Sequence, residues 1–134
     1  MSSPDRQPSA EQYQAAAALR AELRRFDQAS EQTLRHHGLT RERYELLLAI
    51  KGAESGGSPA TVSELTTVLG VAQVSVSQLV RRVEDAGLLT REVSSIDARV
   101  RYLKLTRRGE RQLARAVLDL AEERVKLATV LAEL

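Results

Sequence analysis

Apolar residues recur at helical spacing through the first two thirds of the chain. They then alternate over two short runs and return to helical spacing near the end. In the first stretch Tyr13, Ala16, Ala17, Leu23, Phe26 and Leu34 lie among Gln, Glu and Arg, the pattern of a long helix apolar on one side. Ser9 followed by Gln12 is a capping-box start, and Gly38 is a C-cap stop. Residues 1–8 are polar with two prolines and are expected to form a disordered tail. Thr40 opens a second helix, whose inner face is expected to be Tyr44, Leu47, Leu48 and Ile50, with an end near Gly52. The loop AESGGSP follows.

Thr61 and Glu64 make a further capping box. They open a short helix over 62–69 with Val62, Leu65, Val68 and Leu69 inward. Gly70 permits a tight turn into a helix over about 72–86, the arrangement of a helix-turn-helix. In that last helix Val76, Leu79, Val80 and Val83 form the buried stripe. At about 100° per residue, Val74, Gln78, Arg81 and Asp85 stand opposite it, with Ser75, Ser77 and Arg82 on the flanks. Gly87 ends the helix.

A strand over 88–93, a turn over 94–97 and a returning strand over 100–105 follow. Leu103 and Leu105 alternate there with Tyr102 and Lys104. Thr106 caps a final helix that has no Gly or Pro from Glu110 to Leu134. It is therefore expected to run undivided, with Leu113, Val117, Leu120, Ala121, Leu127, Ala128 and Leu131 as its apolar stripe. The expected fold is mainly α with a small β-hairpin wing. Residues 39–105 form a winged helix-turn-helix lobe, flanked by dimerisation helices over 9–38 and 106–134.

Composition narrows the chemistry. Apolar residues make up 43% and aromatic residues 3% of the chain, so the core is aliphatic. Lys plus Arg number 20 against 18 for Asp plus Glu. That excess is too small to imply a polyanion partner, but Arg81, Arg82, Arg91, Arg99, Arg101, Lys104, Arg107 and Arg108 concentrate it in one region. There is no cysteine, which excludes disulfides, thiolate metal sites and cysteine-based peroxide sensing. No signal-peptide pattern or membrane-length apolar run occurs, so a cytoplasmic protein with no membrane partner is expected. No triad, phosphate loop or zinc-ligand cluster points to an enzyme, and no cofactor is expected. His36 and His37 are adjacent and cannot share a helix face, and no third histidine exists. They read as a solvated helix end rather than a metal site.

Helix, glycine stop, hairpin and basic tip occur in the order needed to hold double-stranded DNA. Gln78 suits adenine and Arg81 guanine, each bidentately, and Val74 suits a thymine methyl. Ser75 and Ser77 suit phosphates or base edges. Arg82 and Arg91 suit phosphates, which set register without carrying sequence information. Ser94, Ser95 and Arg101 would contact the backbone near the hairpin tip. Asp97, two residues before Arg99, can orient its guanidinium. The competing reading is a winged helix that binds protein and has little DNA affinity; it predicts an apolar recognition face and few wing arginines. Single-strand RNA binding lacks the aromatic platforms it commonly uses.

The run SVSQLVRRVEDAGLLTR followed by DARVRYLKLTRRG resembles the core of the MarR (multiple antibiotic resistance regulator) family of bacterial transcription factors. The resemblance rests on Asp97, Arg99, Leu103, Leu105, Thr106 and Gly109, and extends back to the helix over 39–50. It implies a homodimer with the helices of both chain ends intertwined. It implies a repressor, less often an activator, commonly released from DNA by a small phenolic or anionic effector. It places Arg99 in the minor groove and an effector pocket near Tyr13, His37, Tyr44 and Leu48. Members of the family usually carry a further helix after the one that follows Thr106, and this chain is expected to lack it.

Overall fold

The computed structural model describes residues 6–134; most of the expected tail, residues 1–5, lies outside the described residues. Helix α1 (Ala10–His36) starts at Ser9, whose hydroxyl accepts from Gln12 N while the Gln12 side chain accepts from Ser9 N. Gly38, at φ +69°, turns the chain away after its end. Thr40 caps α2 (Arg41–Ser55). This helix passes through Gly52, the expected stop, and ends at Gly56. A lone glycine inside a helix costs about 1 kcal/mol against alanine. That is too little to end a helix whose Leu46, Leu47 and Ile50 are fully buried. The inner face also turns by one position from expectation: Leu46 is buried and Leu48 is 42% exposed.

Thr61 caps α3 (Val62–Leu69) by accepting from Glu64 N. Leu65 is its one fully buried residue, and Val68, expected inside, is 69% exposed. Gly70, in the left-handed region at φ +67°, makes the tight turn into α4 (Gln73–Asp85). Val76, Val80 and Val83 of α4 are wholly buried. Strands β1 (Leu89–Val93) and β2 (Arg101–Leu105) pair antiparallel, with Leu89 opposite Leu105 and Val93 opposite Arg101. Val100, expected in the strand, belongs to the turn instead. It donates to Asp97 O, and its own carbonyl accepts from Ser94 N. Leu103 N donates to Ala60 O at 2.9 Å, which ties the hairpin to the segment before α3.

After Thr106 come two helices, α5 (Arg107–Asp119) and α6 (Ala121–Glu133), not one. This corrects the expectation of one undivided helix over 106–134. The break at Leu120 needs no Gly or Pro. Leu120 is 2% exposed and sits in the core, Arg124 Nη1 donates to the Val117 carbonyl at 2.8 Å, and His37 holds Asp119 at 2.6 Å. Tertiary contacts of this kind outweigh the small intrinsic preference for continuing a helix. The core runs from Leu34 to Leu120 and is filled by Leu, Val, Ile and Ala. The first turns of α1 and the whole of α6 contribute no buried residue to it.

Candidate nucleic-acid interface

Burying Val76, Val80 and Val83 fixes the roll of α4 about its axis and turns the opposite face outward. Val74, Ser75, Ser77, Gln78, Arg81 and Arg82 are all exposed. Gln73, Val74, Ser77, Gln78 and Arg81 line one shallow concavity along this face. Ala72, at the N-cap, supplies no side-chain acceptor, so the first amides of α4 are left open to an outside acceptor.

The hairpin tip is braced internally. Ser94 Oγ accepts from Ile96 N at 3.1 Å and Asp97 N at 3.2 Å, so this serine builds the turn. Asp97 accepts from Arg99 three times: from Nε at 3.2 Å, Nη2 at 3.1 Å and the backbone N at 3.0 Å. The Arg99 side chain and its backbone amide hold the Asp97 carboxyl below the usual aspartate range. The Arg99 side chain is nevertheless 90% exposed. A guanidinium oriented from behind and open in front presents its remaining donors outward in a set direction. Ser95 and Arg101 are exposed beside it. Arg91, read as a phosphate contact, pairs instead with Glu84 at 3.3 Å and would have to leave it to reach one.

Thr106 fixes the base of the hairpin. Its hydroxyl donates to Gly87 O at 2.7 Å and accepts from Gly109 N at 3.0 Å, so one side chain joins the end of α4 to the start of α5. Gly109 packs directly on the Leu88 carbonyl, where a Cβ has no room. The Leu-Thr-x-x-Gly pattern is thus a joint that sets the hairpin against α4.

Exposed apolar groups flank this face, and of these the sequence placed only Val74 outward. Ile96 at the tip is 95% exposed, and Val68, Val71 and Val74 around the helix-helix turn are 69%, 46% and 68% exposed. Periodicity assigned Val68 inward, and nothing local marks Ile96.

A second feature lies between α1, α2 and the α5–α6 break: a cavity of about 240 Å³ walled by Phe26, Leu34, Tyr44, Leu48 and Leu120. Arg41 and Arg124 stand at its edge, and Ser30 Oγ, also in its wall, is buried without a hydrogen-bond partner. Burial raises the Tyr44 phenol, with Arg124 acting in the opposite direction. Of the residues expected near an effector pocket, Tyr44 and Leu48 line this cavity. Tyr13 lies instead beside Arg6, Gln7 and Pro8, and His37 pairs with Asp119 elsewhere. Among the described residues no group of three or more His, Cys, Asp or Glu is placed to hold a metal, and no helix is long and apolar enough to cross a membrane.

The family model described as MarR family matches residues 37–99. A solved MarR family transcription regulator is 30% identical over 92% of this chain and 78% of its own, with a TM-score of 0.69. AbsC, a MarR family transcriptional regulator from Streptomyces coelicolor, is 25% identical over 91% of this chain and 84% of its own, with a TM-score of 0.75. The S. aureus MepR–DNA complex has the same fold, at 22% identity over 89% of this chain and 83% of that one and a TM-score of 0.69. Among the curated proteins none matches.

Proposed function

The chain belongs to the MarR family of transcription regulators, and on that premise we propose that it is a homodimeric repressor of the cytoplasm that reads a pseudo-palindromic DNA operator and is released by a small effector. One observation carries the DNA reading. The polar face of α4 and the braced, outward Arg99 belong to one rigid lobe, tied together at Thr106 and Gly109. Gln78 and Arg81 would read base edges, while Arg99 would enter a minor groove whose narrow A·T tracts concentrate negative potential. Ser75, Ser77, Arg82 and Arg101 would hold the phosphates. Two such lobes related by a two-fold axis would address half-sites about 34 Å apart.

Dimerisation is supported by what α1 and α6 leave uncovered. Tyr13, Val125 and Leu131 are 59%, 65% and 42% exposed, on helices that give the core little. An amphipathic helix without a buried face is stable only against a partner. The effector reading draws on the cavity beside Tyr44. Its apolar walls suit an aromatic body, while Arg41, Arg124 and the unpartnered Ser30 hydroxyl suit an anionic or phenolic group.

The exposed Val68, Val74 and Ile96 favour the competing reading, a lobe that docks a protein. Fluorescence anisotropy with duplex from upstream of the protein's own gene, against scrambled duplex and across a salt series, separates the two. Tighter binding to the upstream duplex, with log affinity falling steeply against log salt, is the expected result. Equal weak binding to both duplexes would remove the support for a regulator of its own promoter.

A further inference from the structure

We propose that the surface between the end of α1 and α5 is a binding site for a compact, multiply charged phosphate anion, separate from the DNA-reading face. Its walls are His36, His37, Arg108, Arg111, Gln112 and Arg115, around an open concavity of about 310 Å³. On α5 the buried side is Gly109, Leu113 and Ala116. At about 100° per residue, Arg108, Arg111, Gln112 and Arg115 form a single adjoining stripe. Like charges one turn apart on a helix repel, so this row works against α5 unless something anionic lies on it.

The neighbouring groups do not supply that anion. Among the described residues Arg108, Arg111 and Arg115 have no carboxylate partner and donate no side-chain hydrogen bond within the chain. Asp119, the nearest acid on the stripe, is held by His37 at 2.6 Å. The usual role for such arginines, closing the carbonyl end of α1, is largely taken by other groups. Leu34 O and Arg35 O accept from the amides of His37, Gly38 and Leu39, and His37 O accepts from Gln112 Nε2 at 2.6 Å. The guanidiniums are left over, and they face one hollow.

The walls also select the class of ligand. No apolar side chain lines this concavity, so an aromatic acid would gain less from packing here than in the cavity beside Tyr44. Planar forks without apolar surface fit a polyphosphate, which offers charged oxygens on every side. A DNA duplex is the less suitable occupant because of position. Arg108 Nη1 lies 3.9 Å from where a Cβ on Gly87 would stand, at the C-terminal end of α4 and the base of the hairpin. The N-terminal turns of α4 and the tip at Ser94–Asp97 are at the opposite ends of those elements, the former about 18 Å away along the helix.

The test is thermal unfolding of the full chain with inorganic tripolyphosphate at fixed ionic strength. The wild type should show a saturable rise in Tm. Arg111→Ala/Arg115→Ala should need at least about tenfold more tripolyphosphate for the same rise, while Arg81→Ala/Arg99→Ala should keep it. If the alanine pair is unfolded without the anion, Arg111→Gln/Arg115→Gln, which keeps the length and polarity of the side chains, takes its place. An equal rise in matched sodium chloride, or an undiminished rise in the α5 variant, overturns the site. So does an α5 variant whose only loss is duplex affinity and salt dependence, since the row would then be a DNA backbone contact. None of these outcomes depends on whether an operator has been found.

Discussion

Gly109 and Arg99 stand at opposite ends of the hairpin and illustrate two kinds of single-residue control. At Gly109 a methyl group would overlap the Leu88 carbonyl, and the obstacle is backbone rather than a flexible side chain. Gly109→Ala should therefore force α5 away from the base of the hairpin, at a cost of about 1–3 kcal/mol, read as a lowered urea midpoint. Arg99 has the opposite profile. Its side chain is almost wholly in solvent, so Arg99→Ala should move the urea midpoint only by the small loss of one exposed ion pair. Duplex affinity should fall for all sequences, and the salt slope should lose about one unit. An Arg99→Ala protein that binds as tightly as wild type at moderate salt would remove the wing from the mechanism. The brace behind Arg99 also has a defined pH window. Because Arg99 lowers the Asp97 carboxyl, the pair contributes fully above the ordinary unfolded aspartate value of about 3.9 and is lost as pH falls through the lower folded value. An NMR titration should show the Arg99 Nε–H signal unmoved from neutral pH down through the usual aspartate range.

Within α4, burial on one side decides which face is left for the proposed DNA contacts. Three fully buried valines leave no freedom of rotation, so Gln78 and Arg81 point the same way one turn apart. Substituting either with alanine should cost about 1–3 kcal/mol at a particular base pair if its contact is bidentate. Competition against single-base operator variants would show this, with other positions unaffected. This face was legible from the sequence because valine periodicity is a strong signal. The hairpin was legible for a similar reason, through the alternation of Leu103 and Leu105 with Tyr102 and Lys104. The division of the last helix was not. No residue near Leu120 breaks a helix on its own account, and the turn there follows from Leu120 entering the core and from His37 and Arg124 fastening the two sides.

For the whole molecule, the core ends at Leu34 on one side and Leu120 on the other. The outer helices lie against each other, joined by Arg25–Glu123 at 3.1 Å, and still leave apolar residues in solvent. Placing a charge in that surface, as in Val125→Glu/Leu131→Glu, should convert the proposed dimer to a monomer in light scattering while the far-UV circular dichroism stays helical. Affinity for a two-half-site operator should then fall toward that for one half-site. A variant that remains dimeric would move the interface to another face.

Local patterns by themselves determined the order of elements, the caps at Ser9, Thr40, Thr61 and Thr106, and the outward face of α4. Such features arise from hydrogen bonds and side-chain periodicity within a few residues, which the sequence displays directly. The extension of α2 through Gly52, the inward Leu46, the break at Leu120 and the pairing of Arg91 with Glu84 were decided only by the tertiary structure. So were the cavity beside Tyr44 and the arginine hollow beside α1. Apart from the Arg91–Glu84 pair, whose partners are brought together by the turn after α4, each depends on contacts between residues far apart in the chain, and those contacts outweigh local preferences of about a kcal/mol or less.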